Sequence, residues 1–444
     1  MFVLPLSMLA SFIKRSVLLI TLGFSTFAFG QAPEDDYAND NALRYDDHAY
    51  KATIKTVQLY GTEWEFSPAL IEMNTGAQLQ LSFDDLEGDQ KQYSLTFVHC
   101  NADWTPSDLM TMEYMEGFND MNIINFSFSI NTLQKYTHYS IVFPTQNVKF
   151  IKSGNYVMYV YLNGDKKDLV LSRRFMIFEN KLNISATIRQ TVGGDNQYNK
   201  QQLEFSVKYP GLKVVNPAKD LKVYVGQNYR WDNLKGPIEP SFYAPNELSY
   251  SMNEAAVFNG GNEFRFFDMR SLRVLSERVK DLYKDENSKN HVVLTPDELR
   301  TTKAYVFQND INGSFLIKNR DIKGNQDIEA DYAYVDFFLP YAIPETQGNF
   351  YVLGKLTDWR LNKSNKMTYN YGRLGYECTL YLKQGYYNYI YVLTKDGEKA
   401  ADETLTEGNH WDTENDYTIL VYYRQVGLYY DQLIAIKKMN SLKR

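Results

Sequence analysis

Apolar and polar residues alternate in short runs along most of the chain, a period of two that is typical of half-buried β-strands. In the first third, the runs predict strands near residues 53–60, 78–83, 93–100, 138–143, 155–162 and 169–178. Six or seven such strands are typical of a sandwich of two sheets. In the run 155–162, Tyr156 and Met158 share one face while Val157 and Tyr159 share the other. Since neither face is polar, we expect this strand to be central or covered.

The middle of the chain predicts strands near 202–209, 221–226, 262–267 and 304–307. Between the last two, apolar residues recur at helical spacing from Arg270 to Asn287, with Leu272, Leu275 and Val279 among them. This spacing predicts a short helix, which in a β domain often covers a sheet edge.

The last third predicts another sandwich, with strands near 335–339, 350–354, 376–382, 387–393, 417–423 and 428–436. A chain of 444 residues exceeds what one core usually supports, so several domains are expected. The sequence therefore predicts an all-β protein of tandem immunoglobulin-like β-sandwich domains. We expect an N-terminal sandwich over 50–180, a middle β-rich domain with a short helix over 181–331, and a C-terminal sandwich over 332–444.

The N-terminus has the pattern of a secretory signal peptide over residues 1–30. Lys14 and Arg15 precede an apolar run, and Ala28 to Gly30 supply small residues before Gln31. The run is shorter than the roughly 20 residues that span a bilayer, and no later segment is apolar enough to cross a membrane. An acidic leader follows over 31–49. We expect a mature protein outside the cytoplasm with no membrane span of its own.

The charge balance argues against nucleic acid as a partner. There are 47 basic and 54 acidic side chains, and removing Lys14 and Arg15 with the signal peptide takes the formal charge from -7 to -9. No basic tract is present that could release phosphate counterions. The acidic leader, with Glu34 and Asp35 among its residues, is more typical of a solvated segment than of a binding site.

Several clusters resemble catalytic or metal sites, but their geometry favours structural roles. Successive residues on a strand point to opposite faces, so His99 and Cys100 cannot easily pair as base and nucleophile. Asp103 is expected to build a turn by accepting backbone N–H groups. Asp84 and Asp85 lack a second acid at a defined distance, and Asp310 with its neighbours imitates only part of a calcium loop.

The five histidines include no pair at metal-ligand spacing. We therefore predict no catalytic residue, no metal and no cofactor. Cys100 and Cys378, the two cysteines of the chain, are interpreted as separate thiols, although an oxidising compartment would permit a bridge.

Tryptophans and one strand supply the candidate partner-binding residues. Trp104, Trp231 and Trp359 could anchor a partner or stack on a sugar, although most tryptophans in sandwiches are core residues. Glu263 and Arg265 share one face of the predicted strand at 262–267, where they could pair with each other or contact a partner.

Eight segments, weak individually, occur in a fixed order across almost the whole chain after residue 30. They are Leu81–Leu86 (LSFDDL), His99–Trp104 (HCNADW), Tyr136–Tyr139 (YTHY), Ser153–Tyr161 (SGNYVMYVY), Arg173–Met176 (RRFM), Gln227–Trp231 (QNYRW), Gly260–Asp268 (GGNEFRFFD) and Leu382–Tyr387 (LKQGYY). Together they resemble the plug proteins of the bacterial type IX secretion system (Bacteroidota). The resemblance implies a non-catalytic periplasmic protein that binds and closes the periplasmic opening of the outer-membrane translocon barrel. It would be peripheral to the outer membrane and monomeric outside the complex.

A second resemblance concerns the C-terminal domain. Phe350–Trp359 (FYVLGKLTDW) is similar to the opening of glycogen- and starch-binding (early-set) modules. Those modules usually carry a Lys on a later strand, where this chain has Ile390, and a second Trp after an Asp-Gly turn, where it has none. The resemblance implies a shared fold, but these two residues of the sugar site are not matched. The alternative function is therefore a carbohydrate-binding accessory protein of a surface glycan system.

Overall fold

The computed structural model describes residues 42–193, 195–397 and 400–443. The predicted signal peptide and most of the predicted acidic leader lie outside these residues. Twelve strands build the first sandwich: β1 (His48–Ala49), β2 (Ile54–Gly61), β3 (Leu70–Glu72), β4 (Leu79–Asp85), β5 (Tyr93–Cys100), β6 (Met115–Gly117), β7 (Asp120–Ile123), β8 (Asn125–Phe128), β9 (Thr137–Phe143), β10 (Val148–Phe150), β11 (Gly154–Leu162) and β12 (Asp165–Phe178). A single helical turn, α1 (Thr111–Tyr114), precedes β6.

The remaining strands follow in two groups. The first group is β13 (Asn183–Gln190), β14 (Lys200–Lys208), β15 (Leu221–Gln227), β16 (Phe242–Ala244), β17 (Glu247–Tyr250) and β18 (Val257–Asn259), with the turn α2 (Pro217–Asp220). The second is β19 (Arg265–Asp268), β20 (Val279–Lys284), β21 (Asn290–Leu294), β22 (Phe315–Ile317), β23 (Tyr332–Pro340), β24 (Gly348–Leu353), β25 (Thr368–Asn370), β26 (Gly375–Lys383), β27 (Gly385–Lys395), β28 (Asp416–Tyr423) and β29 (Gln432–Asn440), with the turns α3 (Gln326–Glu329) and α4 (Thr404–Glu407). The predicted all-β class of sandwich domains is confirmed.

The first sandwich packs the sheet β1-β12-β11-β5-β7 against the sheet β2-β4-β9-β8, with β3 beside β12 and a separate ribbon of β6 and β10. Its core is rich in aromatic rings, including Phe83, Phe97 and Phe175, each at most 2% exposed. Strand β11 lies between β12 and β5, and its two faces enter two different cores. This confirms the expectation that a strand with two apolar faces is central or covered.

The other two sandwiches do not follow one another along the chain. The second core combines residues 184–258 with residues 411–435, because β15 pairs with β28 in the sheet β15-β28-β29. The third core draws on residues 267–393, which lie between those two parts. Strand β19 accordingly pairs with β27. We propose that the third sandwich is an insertion into the second, and that the domains divide by these cores.

The helix predicted over 270–287 is wrong, because residues 279–284 form strand β20. Local turn chemistry decides this. The carboxylate of Asp285 accepts the backbone N–H groups of Asn287 at 2.9 Å and Lys289 at 2.8 Å, which reverses the chain into β21. Leu275, counted in the helical spacing, is 61% exposed. The strand predicted near 304–307 is also wrong, since those residues lie in a loop.

The first and second sandwiches share a buried apolar layer. Val157 and Met176 from the first pack with Tyr224, Leu420 and Leu433 from the second. Polar groups add direction to this contact: the Tyr422 hydroxyl donates to Asn155 Oδ1 at 2.7 Å. The outer face of a sheet in the first sandwich is therefore buried against the second sandwich, and this contact holds the two sandwiches together.

Gly154 lies at this junction, and alanine there should cost about 2–4 kcal/mol of unfolding free energy. Its φ is +147°, and an added Cβ would lie 2.4 Å from Nε2 of His99 and 3.1 Å from the carbonyl oxygen of Asp431. His99 cannot easily move, because its ring packs edge-on against Tyr156. Urea unfolding followed by tryptophan fluorescence measures the loss.

The matched control for that change is Gly164→Ala. Gly164 also has a positive φ, of +76°, but an added Cβ meets nothing within 4 Å. The control should therefore lose only the backbone strain, about 1–2 kcal/mol. Equal losses at the two glycines would contradict the predicted clash.

Candidate functional site

A cavity of about 820 Å³ lies where the three sandwiches meet. Its wall takes Arg174 from the first sandwich, Tyr229 and Trp231 from the second, and Trp359 and Lys355 from the third. Its mouth is bordered by three apolar side chains that remain about half exposed: Trp64 (61%), Phe307 (49%) and Leu442 (51%). A second cavity of about 860 Å³, near Lys200 and Glu403, has a more polar lining. Concave sites with aromatic walls and a few polar groups are the usual form of binding sites, so we take the first as the candidate.

Trp231 lines one wall of the site and packs on Trp104 behind it. Their ring centroids are 5.0 Å apart in an edge-to-face arrangement, and Trp104 is buried beneath Trp231. The guanidinium of Arg174 lies 4.7 Å from the Trp104 centroid and 5.5 Å from the Trp231 centroid. Because Asp103 accepts the backbone N–H of Thr105 at 3.1 Å, the predicted turn at Asp103 is confirmed, and it places Trp104.

Trp359 also lines the cavity, after strand β24 and a 3₁₀ turn at Lys355–Thr357. Its φ is +56°, and its backbone N–H donates to the carbonyl of Gly354 at 3.0 Å. The Arg230 guanidinium lies 4.6 Å from its ring centroid, where the ring's negative face favours a cation. The neighbouring Phe264 ring packs edge-on at 5.9 Å. Two cation–aromatic pairs therefore face the same cavity.

Three of the cations in the wall, Arg174, Lys355 and Lys438, form no ion pair with a carboxylate among the described residues. Nε of Arg174 donates to the carbonyl of Tyr45 at 2.8 Å, but no ion pair with this side chain is found among the described residues. Lys355 and Lys438 likewise form no side-chain hydrogen bond or ion pair within the described part of the chain. Burial lowers the pKa of all three groups. The site thus holds positive charge that the chain does not neutralise by contact.

Another part of the cavity wall, the turn at Asp310 to Gly313, carries acidic groups and lies against Trp359 and the backbone of Lys355. The carboxylate of Asp310 accepts the backbone N–H groups of Phe264 and of Asn312, the latter at 2.8 Å. This is a turn, as the sequence analysis favoured over a calcium loop. Burial raises the pKa of Asp310 to about 7 and also raises the pKa of Glu263 and Glu414 nearby.

Asp310→Asn should flatten the dependence of stability on pH. The folded pKa of about 7 lies above the ordinary value of 3.8, so the folded state binds the extra proton. The resulting stability is complete below pH 4 and is lost as pH rises through 7. Between pH 5 and 8 the unfolding free energy of the wild type should fall more than that of the variant. Urea unfolding across this range measures both slopes.

Glu286→Gln is the control for this titration, because Glu286 is exposed and lies in a different segment, the turn between β20 and β21. Its slope should match the wild type. If Asp310→Asn also kept the wild-type slope, the raised pKa would be contradicted.

Glu263 and Arg265, predicted as partner contacts, are buried at 2% and 8% exposure. Glu263 accepts from the Tyr305 hydroxyl and from the backbone N–H of Glu414, the latter at 3.1 Å. Arg265 binds Glu407 through Nε at 2.9 Å and Asp297 through a terminal nitrogen at 3.1 Å. In this structure both act within the chain, and a partner contact stays a prediction.

The other reactive-looking groups are also bonded within the chain. His99 Nδ1 lies 2.9 Å from the Ser107 hydroxyl on one strand face, while Cys100 enters the junction between sandwiches on the other. Burial raises the pKa of the Cys100 thiol to about 12, which disfavours the reactive thiolate. Cys100 and Cys378 are both buried free thiols. The predicted separation of His99 from Cys100 is confirmed.

One acidic group among the described residues has metal-like spacing: Asp85, Glu87 and Asp89. The ammonium of Lys91 already lies among them, 2.6 Å from Asp85 and 3.5 Å from Asp89, with Glu87 also in contact. The chain's own cation therefore occupies the centre of the cluster and offsets part of its negative charge. Asp84, its neighbour, points away and pairs with Lys383 at 2.6 Å.

Of the tryptophans predicted to bind a partner, Trp231 and Trp359 line the cavity and Trp104 supports Trp231. The cations Arg174, Arg230, Lys355 and Lys438 were not predicted. A signal for three of them was present, because they lie inside the segments RRFM, QNYRW and FYVLGKLTDW. Those segments are far apart in sequence and meet at this cavity, which no local pattern could reveal.

These observations define a class of protein: an all-β protein in which three sandwiches are joined by buried contacts around a central cavity. Residues 54–179, which are the first sandwich from β2 to the end of β12, match the type 9 secretion system plug protein 1st domain. The chain belongs to the type IX secretion system plug protein family and is a component related to that system.

The similarity extends past the matched domain. The crystal structure of a hypothetical protein from Parabacteroides merdae is 32% identical to this chain, with a TM-score of 0.86, over 90% of this chain and 100% of that one. None of the curated proteins matches significantly. None of the helices among the described residues has the length and apolar character needed to cross a bilayer.

Proposed function

We propose that this protein binds and plugs the periplasmic opening of the outer-membrane translocon barrel of the type IX secretion system, without catalysing a reaction. The observation that carries the proposal is the match of the first sandwich to a plug domain. Such a role requires an exported, periplasmic protein held to the outer membrane through the barrel. It also requires shape and contact area in place of a reactive group.

Rigidity supports this role, because a plug must not unfold or bend when the pore is empty. The first and third sandwiches are tied by a buried ion pair between Asp84 and Lys383, whose side chains are 0% and 1% exposed. Arg173 and Asp358 add a second tie at 3.0 Å between the same two sandwiches. With the apolar layer between the first and second sandwiches, these contacts hold all three in one arrangement.

We assign the barrel contact to an apolar surface on the first sandwich, here called the 110–133 surface. Its exposed large side chains are Met110, Met112, Phe118, Ile124, Phe128, Ile130 and Leu133. It includes β7 and β8, which are edge strands of the two sheets of that sandwich. Exposed apolar groups rich in Met and Phe are typical of protein interfaces, and free edges can accept further strands.

The test is purification of the protein from detergent-solubilised outer membranes through a tag joined to its C-terminus by a flexible linker. We expect a very large barrel protein to co-purify with the wild type. The double change Phe118→Asp and Ile124→Asp should reduce its recovery about tenfold or more, because charge at an interface core must be desolvated. The control is Ile343→Asp with Tyr371→Asp, two exposed apolar residues of the third sandwich.

Two results would count against the proposal. One is a wild-type protein that never brings down a barrel, even from cells without secretion substrates. The other is equal recovery with both double variants, which would remove the 110–133 surface from the contact. Closure itself is measured separately: deleting the protein should make the outer membrane permeable to a large dye when no substrate fills the barrel.

A further inference from the structure

Lys355 holds a charge in the central cavity that the chain leaves unneutralised by contact. Its Nζ has no hydrogen-bond or ion-pair partner among the described residues. The two carboxylates that act on it electrostatically are already engaged: Asp358 binds Arg173 at 3.0 Å, and Asp47 accepts the backbone N–H of Arg174 at 2.7 Å. A partly buried ammonium without a protein partner is available to pair with an anion that enters the cavity.

The walls beside this charge suit a flat apolar group. Trp231 and Trp359 both line the cavity, each with a guanidinium near its ring, Arg174 at 5.5 Å and Arg230 at 4.6 Å. Arg230 is itself paired with Asp232 at 2.7 Å and Glu403 at 3.1 Å, so it holds its tryptophan. That leaves Lys355 and Arg174, with Lys438 elsewhere in the wall, without carboxylate partners among the described residues. A ligand that fits must bring an anion close to an aromatic or apolar body.

We propose that the central cavity binds an extended peptide segment of a partner protein that carries a carboxylate side chain next to an aromatic side chain. The carboxylate meets Lys355 and Arg174, and the aromatic ring packs against Trp231 and Trp359. The apolar rim of Trp64, Phe307 and Leu442 covers the chain where it enters. A neutral glycan would use the same aromatic walls but would leave Lys355 unpaired, so the charge favours a peptide.

This inference goes beyond the proposed function, because the cavity and the 110–133 surface are built from different residues. A protein that binds the barrel through the 110–133 surface could still lack a peptide ligand. A protein that binds peptides could equally fail to recover a barrel. The two experiments can therefore fail independently.

The probe is a set of acetylated, amidated pentapeptides with a central Phe, Tyr or Trp flanked on both sides by Asp or Glu. A matched set carries Asn or Gln at the flanks. Binding to the full mature chain is followed by calorimetry and by quenching of tryptophan fluorescence. Acidic members should bind about tenfold or more tightly than their amide counterparts, as expected for a charge-assisted hydrogen bond.

Lys355→Met should abolish this preference for the acidic peptides, because methionine keeps the length of the side chain and removes the charge. Lys363→Met, at an exposed lysine of the following 3₁₀ turn, should keep the preference. Lys438→Met tests another part of the wall and should change the preference less, since Lys438 lies 6.0 Å from the Tyr229 ring and is acted on by Asp416.

A stability measurement separates ligand binding from a structural role. If Lys355 serves a ligand, Lys355→Met should unfold at the same or a higher urea concentration than the wild type, because an unpaired buried charge is removed. A clear loss of stability would assign Lys355 to the fold and overturn the proposal. Equal affinity for acidic and amide peptides, or no binding by either set, would also overturn it. So would binding of maltoheptaose that is lost in Trp359→Ala, which would make the cavity a glycan site.

Discussion

Lys383→Met should lower the unfolding free energy by about 3–5 kcal/mol, the cost of leaving a buried charge without its partner. The ammonium of Lys383 lies 2.6 Å from Asp84 Oδ2 and donates to the carbonyl of Asp327 at 2.6 Å. Methionine fills a similar volume but leaves the Asp84 carboxylate with the Tyr332 hydroxyl and His138, each at 2.7 Å. Urea unfolding of the purified chain measures the loss.

The control is Lys303→Met, which breaks an exposed pair with Glu298. Exposed ion pairs contribute little to stability, so this variant should resemble the wild type. A combined Asp84→Leu and Lys383→Met variant should recover part of the loss, because no buried charge remains. If Lys383→Met cost no more than Lys303→Met, the pair would not tie the first sandwich to the third.

Arg265→Met should lower the unfolding free energy by about 3 kcal/mol or more, because it breaks contacts with two buried carboxylates at once. Burial alone would raise the pKa of Glu407, but Arg265 and Arg300 outweigh it and hold that pKa below its ordinary value. Asp297 keeps Arg278 at 2.6 Å and the hydroxyls of Tyr389 and Tyr391, so part of the network survives.

Arg265→Lys is the matched variant for this site. A lysine keeps the charge but cannot reach both carboxylates with a planar fork, so we expect an intermediate loss. Urea unfolding of both variants, set beside their recovery of a barrel, also tests the partner contact predicted for Arg265 from the sequence. Unchanged stability of the isolated chain, together with poorer recovery of a barrel, would assign Arg265 to the partner instead of the fold.

Strands with clear alternation were predictable because their signal is local. Tyr93–Cys100 was placed without error, and the strands at 79–85, 221–227 and 416–423 were placed within about two residues. The two apolar faces of β11 also carried real information, since one face enters the first core and the other the junction with the second sandwich.

Long-range organisation was not predictable in the same way. The spacing of Leu272, Leu275 and Val279 imitated a helix, but the Asp285 turn and the parallel pairing of β21 with β23 made strands there. The alternation of Glu263 and Arg265 placed both on one strand face, although only Arg265 lies in strand β19. It could not show that Glu407 and Asp297, distant in sequence, would bury that face. The cavity was not predictable for the same reason, because its walls come from three sandwiches.

The insertion of the third sandwich into the second has a consequence for the order in which the chain can fold. When the chain becomes available from its N-terminus onward, the first sandwich is complete at residue 178, and every strand of the third is present by residue 395. Strand β15 acquires its neighbour β28 only when residues 416–423 arrive. The contact between the first and second sandwiches that includes Leu420 and Leu433 therefore forms last, when the C-terminal hairpin of β28 and β29 joins β15. A chain that stops short of residue 416 would present folded first and third sandwiches joined by an open, unpaired sheet.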